Sequence, residues 1–371
     1  MKKKVISILL VAVLSLTVFS ACGSSDTTTS SAGSAPPTTS SDTDATADGE
    51  WDFSDATPVN LQVAMYLSDA DPQTKDLERW LDLVKEYSEG TIDYTMNAGS
   101  TLAAGDEELD AVKNGLADLT FFPVSYGAGT LPLLYMLEYP NALPYTNDEA
   151  ASYALTDWLA AIQPDELADF HLNFAIGQGN GCFMTTTPLR TFADFSGKQI
   201  RCGASQTGII ESYKAKPTVL VFSEVYEAVR TGVVQGFYGM TQAAGNIKLY
   251  EVAKYLTYAP YYLGSYISVT NKGVWDSLTP DQQAAFTKAT DDAFADFLAK
   301  GRYADAATAV EVYKDNGVEI ITLSDDDIKL MGDAGASLQT DYAATLDASL
   351  DAIAALDLYN ELRAKYNDQF K

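Results

Sequence analysis

The 371-residue chain carries 24 Lys and Arg against 51 Asp and Glu, a formal charge of −27, with one histidine and three cysteines. This balance argues against nucleic acid as a partner and against electrostatic adhesion to an anionic membrane, and it makes any buried cation informative. A lone histidine, His171, leaves little from which to build a Ser-His-Asp arrangement or a His-rich metal site.

Lys2, Lys3 and Lys4 precede an apolar run over 5–19 that is too short to span a bilayer. Phe19-Ser20-Ala21-Cys22 then places small residues before a cysteine. The stretch resembles a bacterial lipobox, which implies a lipoprotein signal peptide over 1–21, cleavage before Cys22 and lipidation of its thiol. The alternative is an ordinary secretory peptide with an incidental cysteine. Residues 23–50 are almost wholly Ser, Thr, Ala, Gly, Pro and Asp. They cannot bury enough surface to offset their ordering entropy, so 22–57 reads as a disordered tether. Asp42, Asp44 and Asp48 lack the spacing of a calcium loop.

Residues 61–65 alternate as a strand. Asp71-Pro72 reads as an N-cap with proline at the first helical position, and Leu77, Trp80, Leu81 and Val84 follow at helical spacing up to Gly90. Ile92, Tyr94 and Met96 mark a second strand, 106–114 a short helix and 119–124 a third strand. This βαβαβ order predicts a parallel sheet with ligand-facing loops at the strands' carboxyl ends, at 66–68, 99–100 and 125–126. Tyr66, Ser125 and Tyr126 are therefore candidate site residues. A helix over 148–159, with Trp158 inward, and a strand over 173–176 follow. The glycine-rich stretch 177–181 lacks the Lys-Ser/Thr of a phosphate loop. It reads as a crossover between two lobes where backbone nears the ligand, which adds Asn180 to the candidates.

The stretch 191–239 carries the most specific pattern. A turn at Asp194 and Ser196-Gly197 leads into a strand over 198–202, and a β-branched run, 218–221, ends at Phe222. A helix over 223–230 with Ser223 as its N-cap follows, then Gly232 and a strand from Val233. Asp194, Gly197, Lys198, Ile200 and Arg201, then Pro217, then Glu224, Val225, Tyr226, Ala228, Gly232, Val233, Val234 and Gly236 form a recognisable series. It resembles the substrate-binding proteins of tripartite ATP-independent periplasmic (TRAP) transporters, the DctP-like family, with weaker similarity from about residue 59 to the C-terminus.

The resemblance implies an α/β, two-lobe, periplasmic-binding-protein-like (type II-like) fold with a ligand cleft between the lobes and long C-terminal helices. It implies that Arg201 grips a ligand carboxylate with a bidentate fork and that Phe222 forms a pocket wall; the alternatives are a structural salt bridge and core packing. Phe237, Tyr238, Gly239 and Ser205 complete the candidate set. Many relatives carry a second cationic or amide group on the strand before Arg201 and an Asn on the strand after Gly236. The corresponding positions here are Gly181 or Cys182, and Gly239. Glycine at 239 is expected to open space beside Phe237 and Tyr238, suiting a bulkier, less polar acid. Cys182 and Cys202 could pair, but Cys202 should face away from its neighbour Arg201, which favours free thiols.

Thr279-Pro280-Asp281-Gln282 starts a long helix with a capping box, 317–322 is a late strand, and Ser324 caps the helical tail. The domain expectation is a first lobe from 58–178 plus 265–304, and a second from 179–264 plus 305–371 with the C-terminal helices. The functional expectation, from the resemblance, is a lipid-anchored solute receptor that passes a small organic acid to TRAP membrane permease subunits, with no cofactor. The alternatives are a surface receptor for a sensor or another transporter class, and a lipid-anchored hydrolase.

Overall fold

The computed structural model describes residues 51–139, 145, 147–179, 181–300 and 303–370. The expected signal peptide, Cys22, most of the tether and Asn180 lie outside the described residues. The strands are β1 (Val59–Ala64), β2 (Ile92–Asn97), β3 (Leu119–Pro123), β4 (Phe170–Gln178), β5 (Gly181–Thr185), β6 (Gln199–Cys202), β7 (Lys216–Val219), β8 (Gly236–Met240), β9 (Tyr255–Ala259), β10 (Gly264–Asn271) and β11 (Glu319–Ile321). They build two sheets, β2-β1-β3-β10-β4 and β11-β9-β5-β8-β6-β7, one for each lobe of a two-lobe α/β fold.

In the first sheet β1 pairs in parallel with β2 and β3, as the strand-helix alternation predicts, while β10 runs antiparallel to β3 and β4. Helix Pro72–Tyr87 starts where Asp71 accepts a hydrogen bond from the Gln73 backbone N–H, with proline at the first helical position. Its apolar stripe buries Trp80, whose Nε1 donates to Thr290 Oγ1 at 3.0 Å on helix Pro280–Ala293. The Trp80 ring meets Phe174 and Phe286 edge-on, with centroids 5.0 and 5.4 Å away. The capping box at Thr279 is present, and the helix continues as a π-turn over Phe294–Leu298.

The chain crosses between the sheets from β4 to β5 and returns from β9 to β10. At the crossing a Cβ on Gly181 would lie 2.1 Å from Tyr262 Cβ, so the two connections touch and only glycine fits. The glycine-rich stretch is less irregular than its composition suggests, because Gly177 ends inside β4 and Gly181 opens β5.

Three further differences have local causes. Ser223 caps nothing; Phe222–Glu224 is a 3₁₀ turn before helix Val225–Arg230. The last residues of the expected tether pack on the protein, Trp51 lying 6.2 Å from Tyr87 by ring centroids, and Gln282 Nε2 donating to the Thr57 carbonyl. The segment expected whole in the second lobe divides. Helix Tyr303–Asp315 and β11 lie on the second sheet's side, whereas helix Ala352–Gln369 packs on Asp148–Ile162, where Trp158 Nε1 donates to the Ala355 carbonyl at 2.7 Å. Trp158 needed a partner for its N–H, and the last helix supplies it.

Trp80→Ala should cost about 3–5 kcal/mol, the range for emptying an aromatic core site. Urea unfolding followed by far-ultraviolet circular dichroism would measure it.

Candidate functional site

Arg201 sits on β6 between β7 and β8, register partner of Thr218 on one side and Phe237 on the other. The surrounding strands leave it only 7% exposed. Its Nε and Nη2 donate to the Leu220 carbonyl at 3.0 and 2.7 Å. That carbonyl, just beyond the end of β7, holds the plane of the guanidinium. The Cζ atom lies 5.5 Å from the Phe237 ring centroid and 6.0 Å from that of Phe222. Among the described residues no carboxylate pairs with it. Burial lowers its pKa. The structural-salt-bridge alternative therefore has no carboxylate among the described residues to support it.

A cavity of about 410 Å³ opens beside this guanidinium. The loops following β1 and β3 contribute Tyr66, Ser125 and Tyr126, the second sheet contributes Arg201, Phe237, Tyr238 and Gly239, and the turn after β7 contributes Phe222. These eight candidates line one space. Gly99 and Ser100, after the edge strand β2, do not line it. Ser205 is not in the lining either; it is fully buried, and its Oγ donates to Glu138 Oε2 at 2.8 Å. The Tyr238 ring is committed to the core, stacked on Phe183 at 4.6 Å. Gly239 does not open space, contrary to expectation, because the Phe237 ring fills it; a Cβ there would stand 2.3 Å from Phe237 Cζ.

Cys182 and Cys202 are free thiols buried in different apolar clusters. Burial pushes each thiol up to about 12. His171 lies away from the cavity, its ring stacked 3.4 Å from Trp275, and burial lowers its pKa to about 4.

The profile of the bacterial extracellular solute-binding proteins, family 7 (DctP), matches residues 63–345. The chain belongs to this family. It is 28% identical over 276 residues to the C4-dicarboxylate-binding periplasmic protein DctP of Rhodobacter capsulatus, covering 71% of this chain and 79% of that protein. Its fold superposes with a TM-score of 0.73 on a TRAP periplasmic solute-binding protein from Desulfovibrio salexigens, at 26% identity over 84% of this chain and 97% of the other. A TRAP solute-binding protein from a marine metagenome, specific for aromatic acid ligands and holding 3-hydroxybenzoate, superposes with a TM-score of 0.76 at 22% identity, covering 84% and 99% of the two chains. The protein is thus an extracytoplasmic solute-binding receptor of the TRAP type, and not an enzyme.

Sequence reasoning missed much of the receptor's polar lining. Asp71, Gln73, Gln206, Gln242 and Asn246 all face the cavity. Asn246 Nδ2 donates to Asp71 Oδ2 at 3.0 Å, joining the start of helix Pro72–Tyr87 to helix Thr241–Asn246 across the cleft. The signal was present in part: Asp71 and Pro72 mark a helix start near the carboxyl end of β1, and Gln242 follows β8 directly.

Glu138 was also missed. Its buried carboxyl takes hydrogen bonds from Ser205 Oγ on the second-lobe side and from the Ser265 backbone N–H, 2.8 Å each, where β10 begins. Burial raises its pKa to about 7, and that of Glu108 to about 8. Below the ordinary carboxyl value of about 4.5 both are neutral in either state; above it the unfolded chain releases protons that the folded receptor keeps. Stability from these groups is therefore full at low pH and lost as pH rises to about 7–8. Unfolding midpoints measured from pH 5 to 8 should fall, and Glu138→Gln should flatten the slope by on the order of 3 kcal/mol across that window.

Proposed function

We propose that this receptor binds a small organic acid by pairing its carboxylate with Arg201, and that it delivers the acid to the membrane permease subunits of a TRAP-type transporter. The observation that carries the reading is a buried guanidinium with no carboxylate beside it among the described residues. A buried cation without a counter-charge is costly, and a ligand carboxylate in the adjoining cavity would supply the missing partner. Leu220 holds the guanidinium plane and leaves Nη1 without a protein partner among the described residues, which suits an acceptor arriving from the cavity. The chain's charge of −27 repels anions, but salt screens that beyond about 8 Å, so the local cation governs the bound state. The names of two relatives, one for C4-dicarboxylates and one for aromatic acids, describe carboxylate ligands and agree with this chemistry.

The Lys2-Lys3-Lys4 run, the apolar segment and Ala21-Cys22 support a lipoprotein form held at the extracytoplasmic face of the cell membrane through Cys22, with the Ser/Thr-rich segment as its tether. Cys22→Ser should release the protein from the membrane fraction and abolish incorporation of labelled fatty acid; unchanged labelling would refute the anchor.

A thermal-shift screen of organic acids identifies a ligand, and calorimetry then compares wild type, Arg201→Lys and Arg201→Ala. Arg201→Ala should weaken binding by about 2–5 kcal/mol, as for truncating one partner of a buried charge pair. Arg201→Lys should recover part of that loss, since an ammonium lacks the planar fork. Equal affinities in all three folded proteins would reject the anion reading.

A further inference from the structure

The wall beside Arg201 is set by two residues of β8. Arg201 and Phe237 are register partners on adjacent parallel strands, and Gly239 lies two residues further along the same face. A Cβ at position 239 would lie 2.3 Å from Phe237 Cζ and 2.9 Å from both Cε atoms. No side chain can occupy 239 while the Phe237 ring lies where it does. The bare Cα of Gly239 is therefore what seats that ring 5.5 Å from the guanidinium carbon. Phe222 meets Phe237 nearly edge-on, with centroids 6.3 Å apart, and also lines the cavity. Tyr66 and Tyr126 approach from the other lobe, their rings 6.1 Å apart. The guanidinium is thus flanked by aromatic rings. Lys248, the other cation in the lining, is exposed.

We propose that the Gly239–Phe237 pair determines the specificity of this site, and that it selects a flat aromatic monocarboxylate over an aliphatic dicarboxylate. The inference rests on the reading of Arg201 as the carboxylate's partner. Once one carboxylate engages Arg201, the body of the ligand lies against aromatic surface. An aromatic ring gains offset-stacked or edge-to-face contact there. A second carboxylate would be desolvated near ring faces whose quadrupole is negative and near Asp71, with only the neutral amides of the lining and, among the described lining residues, no second buried cation to receive it. Discrimination then comes as much from rejecting the second charge as from holding the ring.

Calorimetry on the purified protein with benzoate, 4-hydroxyphenylacetate, butyrate and succinate tests this. At least one aromatic acid should bind about tenfold or more tighter than succinate. Phe237→Met keeps apolar volume but removes the ring, and should cost the aromatic acids about tenfold while leaving butyrate within about threefold. Gly239→Ala should act in the same direction by displacing the ring, and Lys248→Ala should leave the ranking unchanged. Near-ultraviolet circular dichroism and unfolding midpoints establish that each variant is folded. Succinate binding as tightly as the aromatic acids, a ranking reversed by Lys248→Ala, or equal losses for all acids in folded Phe237→Met would each overturn the proposal. Those outcomes leave Arg201 untouched as the anion partner. Indifference of every acid to Arg201→Ala, or no acid binding at all, defeats the parent reading and this one with it.

Discussion

A guanidinium held inside a strongly acidic protein, with no carboxylate beside it among the described residues, is the constraint on which the site depends. The fold tolerates it by fixing it rather than by neutralising it. The Leu220 carbonyl takes two of its N–H groups, the rings of Phe222 and Phe237 flank it, and β6 is clamped between β7 and β8. A side chain so held has surrendered its rotamer entropy in the empty protein, so a ligand pays little to order it. The same fixation explains why the approach is a cavity and not a surface patch: a cation in open water is already solvated and gains little from a partner.

Parts of this were legible in the chain. The Asp71-Pro72 start, the capping box at Thr279 and the parallel β1–β3 core follow from local rules that tertiary packing did not override. Arg201 stood out because cations are scarce and because its flanking residues form a specific series. What escaped was decided by contacts between distant residues. Gly239 read as open space because sequence alone does not reveal that a ring two residues earlier folds back over it. Ser205 read as a ligand contact because nothing local reveals the Glu138 carboxyl, 67 residues away, that claims its hydroxyl. Trp51 read as tether because its partner, Tyr87, belongs to another element.

The polar residues of the cleft divide by task in a way that composition obscures. Asp71 and Asn246 join the two lobes at one place, while Glu138 ties Ser205 to the first residues of β10 at another. Neither group makes an ion pair with Arg201. Hydrogen bonds to these two carboxyl groups thus link the lobes beside the crossing strands and the shared apolar core, and the Arg201 guanidinium takes no part in that task.

The lobes are interleaved along the chain, and this bears on how the protein comes to be made. The first sheet needs β10, which arrives about 140 residues after β3, and the helix that covers Trp158 ends at Gln369. The second sheet waits for β11, which follows the long helix of the first lobe. Neither half can finish while the other is still being synthesised. Such long-range closure makes for slow folding. The interleaving predicts a nascent chain that folds late, because its hydrophobic strands lack their sheet partners until β10 and β11 have been made.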